Sequence, residues 1–239
     1  MSAKGLTDIM QMLMIVFFLT IPPWLSLMKY FKGKVNNIVL AFMFVLYLAL
    51  TLLTQNIFPF LAVLLVIVFI YKGDSDSEER FYLRPIGNKK LEVVILSFGF
   101  KFFISILNIW FAFFVLGFGV NLEPQKISQV FMNSSWTKII FLSFLTVVTA
   151  PVLEEFVFRH TFYRQLSKRT GKIAACLISS ALFALLHFNF LGTISFFGVG
   201  IFNCILYDKY GYKAAVLNHF IFNSISTVLM IVYKLFNIG

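Results

Sequence analysis

Residues Thr137 to Tyr163 read TKIIFLSFLTVVTAPVLEEFVFRHTFY, and this stretch decides the class of protein. A helix needs about 20 predominantly apolar residues to cross a bilayer, and the stretch is long enough. Before the adjacent glutamates Glu154 and Glu155, its only charge is Lys138 at the edge. A charge at the bilayer centre costs roughly 2.5–3.5 kcal/mol on insertion scales. The two carboxylates are therefore either neutralised for a structural reason or used by the protein.

The composition of the whole chain indicates a membrane protein. Of its 239 residues, 60% are hydrophobic and 13% are charged, whereas a soluble domain is about 45–50% apolar and about 25% charged. No series of alternating ten-residue segments indicates a β-barrel. The net charge of +10 could attract nucleic acid, but the cations lie mostly in short loops, where they set membrane topology. We predict an all-α polytopic protein of the cell membrane that binds the lipid bilayer and no nucleic acid.

The apolar runs predict about eight transmembrane helices. They cover residues 8–28, 37–54, 57–71, 91–119, 137–162, 172–188, 191–208 and 213–236. The first run lacks a small-residue cleavage site, so we interpret it as a retained span rather than a signal peptide. We expect four helices in an N-terminal part, residues 1–130, and four in a core with the candidate site, residues 131–239. The longest polar loop, Gly73 to Lys90, has no role that the sequence defines, and solvation alone would explain it.

Lysine and arginine predict the orientation in the membrane. With eight spans, the odd-numbered loops share one side, and they hold most of the 20 basic residues, in segments 29–34, 72–90, 164–172 and 209–213. Basic loops stay on the cytoplasmic side. We therefore predict cytoplasmic basic loops and both termini outside. Lys101, inside the fourth predicted span, is left unexplained.

Polar residues on three predicted helices lie at similar depths. His187 ends the span 172–188, and His219 and Asn223 are four residues apart, on one helix face. At 1.5 Å per residue, Glu154 is about 15 Å from the inner edge, His187 about 22 Å, and His219 and Asn223 about 9 and 15 Å. Helix tilt absorbs this spread. A carboxylate, two imidazoles and an amide therefore meet in the cytoplasmic half of the membrane, with Asn218 a further candidate.

This set of side chains fits the activation of water. A carboxylate in a site of low dielectric constant can act as a general base near neutral pH. Arg159 can neutralise Glu155 by an i,i+4 ion pair, and Glu154, turned about 100° from Glu155, faces elsewhere. We predict Glu154 as the base, with His187 holding the same water or sharing its proton. His219 and Asn223 carry donors suited to a developing oxyanion.

Structural interpretations stay open for the same residues. Glu155 and Arg159 can form a purely structural pair, the histidines can be hydrogen-bonded core residues, and Asn223 can join two helices. We interpret His160 as structural and leave Asn189 and Asn203 unassigned. Cys176 and Cys204 have no CxxC spacing, and we expect them to pack in the core.

At these residues the chain resembles the CPBP family, also called the Abi or type II CAAX prenyl protease-like family of intramembrane proteases. Its motifs are EExxxR, here Glu154 to Arg159, then FxxxH, here Phe183 to His187, then a His or Asn with Asn four residues later, here His219 to Asn223. Each motif alone is weak, but all three in order on separate predicted spans are specific. The resemblance covers roughly residues 137–230.

The resemblance implies an endopeptidase whose site opens to the cytosol. It assigns water activation to Glu154 and His187, the oxyanion hole to His219 and Asn223, and support to Glu155 and Arg159. The family is often described as metalloproteases, and Glu154, His187 and His219 could bind zinc. There is no HExxH and the glutamate mechanism needs no metal, so we favour no cofactor. A membrane-associated peptide or small protein is the implied substrate, and bacterial members are linked with bacteriocin processing and immunity.

Two other functions compete with an intramembrane protease. One is a non-catalytic bacteriocin-immunity or scaffold protein of the same fold, which the intact motif set disfavours. The other is a small transporter with Glu154 and the histidines as a proton relay. Against transport, the polar residues cluster at one level and no internal repeat is visible.

Overall fold

The structure is a computed structural model that describes residues 3–54, 56–73, 77–119 and 126–236, and of residues 3–8 and 126–128 the backbone alone. The described residues are helical, without a strand, which confirms the all-α prediction. The α-helices are α1 Ala3–Ile15, α2 Ile21–Phe31, α3 Asn37–Thr54, α4 Ile57–Lys72, α5 Ser77–Tyr82, α6 Lys90–Gly117, α7 Lys126–Asn133, α8 Trp136–Phe144, α9 Ala150–Glu155, α10 Arg164–Thr170, α11 Lys172–Leu185, α12 Thr193–Tyr210 and α13 Tyr212–Leu235. A 3₁₀ turn covers Gly87–Lys89, and wider π-helical turns cover Val16–Thr20, Leu145–Thr149 and Phe156–Tyr163.

The helices support a polytopic membrane protein but not the number of eight spans. Within the described residues, five continuous helical segments are long and apolar enough to cross a membrane: Ile9–Phe31, Asn37–Thr54, Gly87–Gly117, Trp136–Thr170 and Tyr212–Leu235. Ile57–Lys72 and Lys172–Leu185 are apolar but shorter. Helix α12 occupies the seventh predicted span, and it carries Asn203, Asp208 and Lys209. The count of eight therefore stays a prediction, although a helix lies at each predicted position.

The helix that carries the two glutamates is continuous from Trp136 to Thr170 but changes its winding twice. Pro151 has no N–H, and its ring would collide with the carbonyl four residues earlier in an α-helix. The chain accommodates this with the π-helical turn Leu145–Thr149, after which α9 begins with the proline in its first turn. A second π-helical turn, Phe156–Tyr163, follows the glutamates directly. Wide turns of this kind occur frequently at functional sites.

The core of the protein is formed around this helix. Phe156, Val157 and Phe158 are buried, and they join one apolar cluster with Val63 of α4 and Phe222 of α13. Residues from both predicted parts, 1–130 and 131–239, thus share this core, and the division between them stays a prediction. Many large apolar side chains on the outer helix faces are exposed. Large exposed apolar surfaces of this kind are typical of protein that faces lipid.

The loop between α4 and α6 is docked on the protein rather than simply solvated. Its helix α5 presents Glu79 to Arg164, whose Nη2 lies 2.9 Å from Oε1 in a mostly buried ion pair. Glu78 pairs with Lys168, and Tyr82 stacks on Tyr207 of α12 with ring centroids 4.7 Å apart. Glu78 and Glu79 therefore balance basic residues in α10, the last part of the glutamate helix.

A second set of contacts brings the basic segment 209–213 to the same end of the bundle. Lys172 pairs with Asp208 at 2.9 Å, and Arg84 donates to the Lys209 carbonyl at 3.0 Å. Gly211 joins α12 to α13 with a φ of +90°, and a Cβ there would lie 2.6 Å from the Tyr82 carbonyl oxygen. Segments 77–90, 164–172 and 209–213 thus meet at one end, which we call the basic end. The sequence analysis predicts that these segments share one side of the membrane. Their location on the cytoplasmic side stays a prediction.

Candidate active site

Glu155 is completely buried and is held by three side chains. Its Oε2 lies 3.2 Å from Nε of Arg159, one helical turn later. Its Oε1 accepts a hydrogen bond from Nδ2 of Asn203 at 2.7 Å and lies 2.8 Å from Nδ1 of His219. Because a carboxylate is an acceptor, Nδ1 of His219 carries the proton of that contact. A buried charge is tolerated when it is paired and hydrogen-bonded, and Glu155 meets both conditions.

The guanidinium of Arg159 is also completely buried and has partners on two other helices. Its Nη2 donates to the Gly200 carbonyl of α12 at 3.0 Å, and it lies 4.7 Å from the ring centroid of Phe183 on α11. Gly200 also lies against Ser180 of α11, and a Cβ at Gly200 would lie only 2.7 Å from the Cβ of Ser180. The glycine therefore lets α11 and α12 pack closely enough to enclose the ion pair.

Glu154 differs from its neighbour in its contacts. Its side chain is 16% exposed, and Oε2 lies 3.8 Å from Nε2 of His219, beyond hydrogen-bond distance. This oxygen is buried and has no hydrogen-bond partner in the described residues. Few buried polar atoms in folded proteins lack a partner, and an orphan oxygen of this kind marks a place where a water or a ligand fits. His219 thus lies between the two glutamates, bonded to Glu155 and facing Glu154.

Two asparagines extend the network behind Glu155. Asn218 donates from Nδ2 to Oδ1 of Asn203 at 2.7 Å, and Asn203 donates from its own Nδ2 to Oε1 of Glu155. Both asparagines are buried. Asn203 was unassigned from the sequence and Asn218 was only a further candidate. The sequence feature that indicates them is an amide side chain within an apolar helix, because such side chains commonly form hydrogen bonds between helices.

His187 lies beside this network but outside the helix that the sequence predicted for it. Helix α11 ends at Leu185, two residues before His187, and Phe188 has a φ of +45° in the turn that follows. Nδ1 of His187 lies 2.7 Å from the Phe183 carbonyl, so this nitrogen donates. The ring stacks on Phe196 with centroids 3.8 Å apart. The bond to the carbonyl leaves Nε2 as the acceptor of a neutral ring.

The ring of Phe183 joins the two predicted histidines. Its centroid lies 4.7 Å from that of His187 and 5.7 Å from that of His219. Phe183 is buried and also contacts Arg159. The first position of the FxxxH pattern therefore packs between the ion pair and both imidazoles.

Asn223 lies on the same helix as His219, one turn later, and its amide is held by the glutamate helix. Nδ2 donates to the Thr146 carbonyl at 2.9 Å. In the π-helical turn, the N–H of Ala150 bonds to the Leu145 carbonyl rather than to that of Thr146. The irregular turn therefore frees the acceptor that fixes Asn223. The second hydrogen of the amide is left for another acceptor.

The remaining polar residues named from the sequence are structural. His160 is buried and its Nδ1 lies 3.0 Å from the hydroxyl of Tyr207. Asn189 accepts from the Gly192 backbone N–H at 3.0 Å, in the turn before α12. Cys176 and Cys204 are free thiols packed in α11 and α12. Lys101, unexplained by the sequence, donates from Nζ to the Ser226 hydroxyl of α13 at 2.8 Å.

The proposed zinc ligands are not gathered as a metal site. Within the described residues, no group of three His, Cys, Asp or Glu side chains is arranged to hold a metal ion. Nδ1 of His219 is already bonded to Glu155 and Nδ1 of His187 to a carbonyl. Both contacts leave Nε2 of the ring open, as in zinc sites, where the other ring nitrogen donates to a carboxylate or a carbonyl. We derive no chemical step through a metal.

Comparison with known proteins adds a family to this geometry. Residues 136–225 match the family described as type II CAAX prenyl endopeptidase Rce1-like. The matched segment holds all six residues predicted for the site: Glu154, Glu155, Arg159, His187, His219 and Asn223. No curated protein and no solved structure matches the chain.

Proposed function

We propose that this protein is an intramembrane endopeptidase. Its Rce1-like domain at residues 136–225 supports assignment to the CPBP family of CAAX proteases. The protein hydrolyses a peptide bond of a membrane-associated peptide or small protein with a water that Glu154 activates, at a site open to the cytoplasm. The observation that carries the proposal is the contrast between the adjacent glutamates. Glu155 accepts hydrogen bonds from Asn203 and His219 at Oε1, and its Oε2 lies in an ion pair 3.2 Å from Arg159. Oε2 of Glu154 makes no hydrogen bond within the described residues and faces Nε2 of His219 at 3.8 Å.

Glu154 is the general base. A water bonded to Oε2 gives its proton to that carboxylate as its oxygen attacks the peptide carbonyl carbon. Positioned general bases contribute about 10²- to 10⁴-fold to a rate. Glu155 cannot serve in this way, because its two oxygens are occupied by Arg159, Asn203 and His219.

His187 orients the same water. Its Nδ1 is fixed on the Phe183 carbonyl, so Nε2 can accept the second proton of the water in a hydrogen bond. The stacking on Phe196 holds the plane of the ring. His187 thus fixes the direction of attack, and it can share the proton before the leaving amine takes it.

His219 and Asn223 stabilise the oxyanion that forms on the peptide carbonyl. Asn223 has a free amide hydrogen besides the one on Thr146. His219 donates from Nε2 in its doubly protonated form, in which Nδ1–H stays on Glu155. When the carbon–nitrogen bond breaks, the proton held by Glu154 passes to the leaving amine, and Glu154 is a carboxylate again. Atoms and protons therefore balance with water as the second reactant.

The test is cleavage by the purified protein in proteoliposomes, with a panel of lipid-anchored and transmembrane peptides analysed by mass spectrometry. Glu154→Gln keeps the size of the side chain but removes the base, so we expect at least about a 100-fold lower rate. Glu92→Gln is the matched control, because Glu92 lies at the basic end with Lys89 and Tyr210 as partners. We expect this control to cleave at the wild-type rate.

A fold measurement accompanies both variants. Since Oε2 of Glu154 makes no hydrogen bond with the described residues and only faces Nε2 of His219 at 3.8 Å, Glu154→Gln should unfold close to the wild-type temperature. If Glu154→Gln cleaved as fast as the control variant, Glu154 would not be the base. If cells that produce only Glu154→Gln behaved like cells that produce the wild-type protein, a non-catalytic role of the fold would be favoured instead.

A further inference from the structure

An apolar groove opens beside the glutamate helix, and none of its lining residues is one of the six residues of the candidate site. It has a volume of about 340 Å³. Its walls come from the helix around the π-helical turn Leu145–Thr149, from α13, and from the start of α6. The lining residues are Ile86, Lys90, Val147, Val148, Pro151, Val152, Lys213, Val216, Leu217 and Phe220. Apart from the two lysines, every lining side chain is apolar.

The two lysines lie at the basic end of the groove, each in the first turn of a helix. Lys90 begins α6 and Lys213 is the second residue of α13, and both are exposed. A helix N-terminus carries a partial positive charge, so a lysine there is at a disadvantage that an anion relieves. Glu92 in the first turn of α6 is already paired with Lys89 at 3.0 Å. Both lysines thus line the apolar groove, and Nζ of Lys213 also lies 5.4 Å from the ring centroid of Tyr71.

The apolar lining selects the kind of occupant. A peptide in extended form would bring N–H and C=O groups that need partners, and unsatisfied backbone groups cost several kcal/mol in an apolar environment. A hydrocarbon chain has no such requirement. Basic pockets between transmembrane helices on the cytoplasmic side bind the head groups of anionic lipids. An acyl chain with an anionic head therefore matches both the lining and the mouth of the groove.

We propose that the groove between α6, α13 and the Leu145–Thr149 turn is a specific site for one anionic phospholipid. The phosphate lies between Lys90 and Lys213, and one acyl chain lies along Val148 and its apolar neighbours. The site is new relative to the proposed peptidase activity and does not depend on it.

The groove shares its wall with the candidate active site. Val147 follows Thr146, whose carbonyl holds Asn223, and Val152 accepts a hydrogen bond from Tyr212 at 2.6 Å. Phe220 follows His219 directly. A lipid in the groove therefore packs on the same turn that orients the amide of Asn223. This placement gives the bound lipid a structural route to the site.

The experiment measures lipid binding to the purified full chain by native mass spectrometry, with phosphatidylglycerol and phosphatidylcholine of identical acyl chains. We expect one phosphatidylglycerol to bind preferentially. Each basic residue near a membrane surface is worth about fivefold in affinity, so Lys90→Gln with Lys213→Gln should weaken this binding about 30-fold. The matched control is Lys32→Gln with Lys34→Gln, which removes the same charge from an exposed loop outside the groove. It should keep the wild-type affinity.

A third variant separates the chain from the head group. Val148→Phe fills the apolar part of the groove and should weaken the binding of both lipids while both lysines remain. The proposal is overturned if the two double lysine variants weaken phosphatidylglycerol binding equally, since surface charge alone would then explain the binding. It is also overturned if phosphatidylcholine binds as tightly as phosphatidylglycerol, or if a cleavable peptide displaces the lipid from the groove. Because the readout is lipid binding, failure of the proposed peptidase activity would leave this result unchanged.

Discussion

Asn203 donates a 2.7 Å hydrogen bond to Oε1 of Glu155, and through this bond α12 is fixed to the glutamate helix. The amide of Asn203 also accepts from Asn218 of α13, so one buried side chain joins three helices. The asparagine has no charge and lies in no motif. Its position shows that the support of the glutamate pair extends beyond the residues of the EExxxR pattern.

Replacing Asn203 should therefore lower stability. Asn203→Ala leaves Oε1 of Glu155 with one partner fewer and the amide of Asn218 without its acceptor. A buried polar group that loses its partner costs about 1–3 kcal/mol. We expect thermal unfolding in detergent micelles at a lower temperature. Asn133→Ala, at an exposed asparagine, is the control and should unfold like the wild type. Equal unfolding temperatures of the two variants would show that the network carries no stability.

The ion pair between Glu155 and Arg159 should behave as a unit. Both side chains are completely buried, and removal of one partner of a buried pair typically costs about 3–5 kcal/mol. Glu155→Gln and Arg159→Met should each destabilise the protein by about this amount. The double variant should be more stable than either single variant, because no unpaired charge is left. Chemical denaturation of all four proteins in the same detergent measures this. An additive double variant would mean that the two charges are independent.

The sequence predicts the positions of the helices and the candidate side chains more fully than the irregular backbone and the hydrogen bonds that join them. Glu154, Glu155, Arg159 and His219 are predictable as candidates because charged and ionisable groups are rare in apolar helices, and the structure brings the four side chains together. The roles of His187 and Asn223 depend on irregular backbone that spacing cannot predict. The helix ends before His187, and the π-helical turn at Leu145–Thr149 supplies the carbonyl for Asn223.

The loop before α6 illustrates another limit. Its charges were visible in the sequence, yet only the fold places Glu79 against Arg164, 85 residues later. Long-range pairs of this kind have no periodic signal. The same holds for the number of spans, since five described segments are long and apolar enough to cross a membrane, against the eight predicted. Helix α12 carries buried amides such as Asn203, and its apolar character alone does not indicate whether it crosses the bilayer.

Lys101 has its partners on α13. Its Nζ donates to the Ser226 hydroxyl at 2.8 Å and lies 3.5 Å from the ring centroid of Phe222. Interhelical hydrogen bonds in membrane proteins average about 0.6 kcal/mol and reach about 1.7 kcal/mol. We expect a coupling free energy in this range from a double-mutant cycle of Lys101→Met and Ser226→Ala, measured by unfolding. The same cycle with Thr227→Ala in place of Ser226→Ala is the control and should give no coupling. Equal couplings in the two cycles would assign the effect to general repacking of α13.

Metal removal should leave the peptidase active. The side chains of Glu154, His187 and His219 are not gathered as metal ligands, and the proposed mechanism uses water and carboxylate alone. After dialysis against a strong chelator, we expect cleavage of the peptide panel in proteoliposomes at the rate of the untreated protein. Addition of zinc should not increase this rate. Loss of activity in chelator with recovery on addition of zinc would contradict the metal-free mechanism.

The two nitrogens of His219 should be separable by substitution. Nδ1 is bonded to Glu155 at 2.8 Å, whereas Nε2 faces Glu154 at 3.8 Å. Asparagine places its amide nitrogen near the position of Nδ1, and the longer glutamine places it near that of Nε2. His219→Asn should therefore keep stability close to the wild type but lose activity by about 10²- to 10³-fold, the usual cost of one oxyanion donor. His219→Gln should keep more of the activity and lose about 1–3 kcal/mol of stability, since Glu155 loses a partner. Cleavage rates and unfolding of both variants, measured in parallel, check this. If the two substitutions gave the same rate and the same stability, the division of roles between the nitrogens would be wrong.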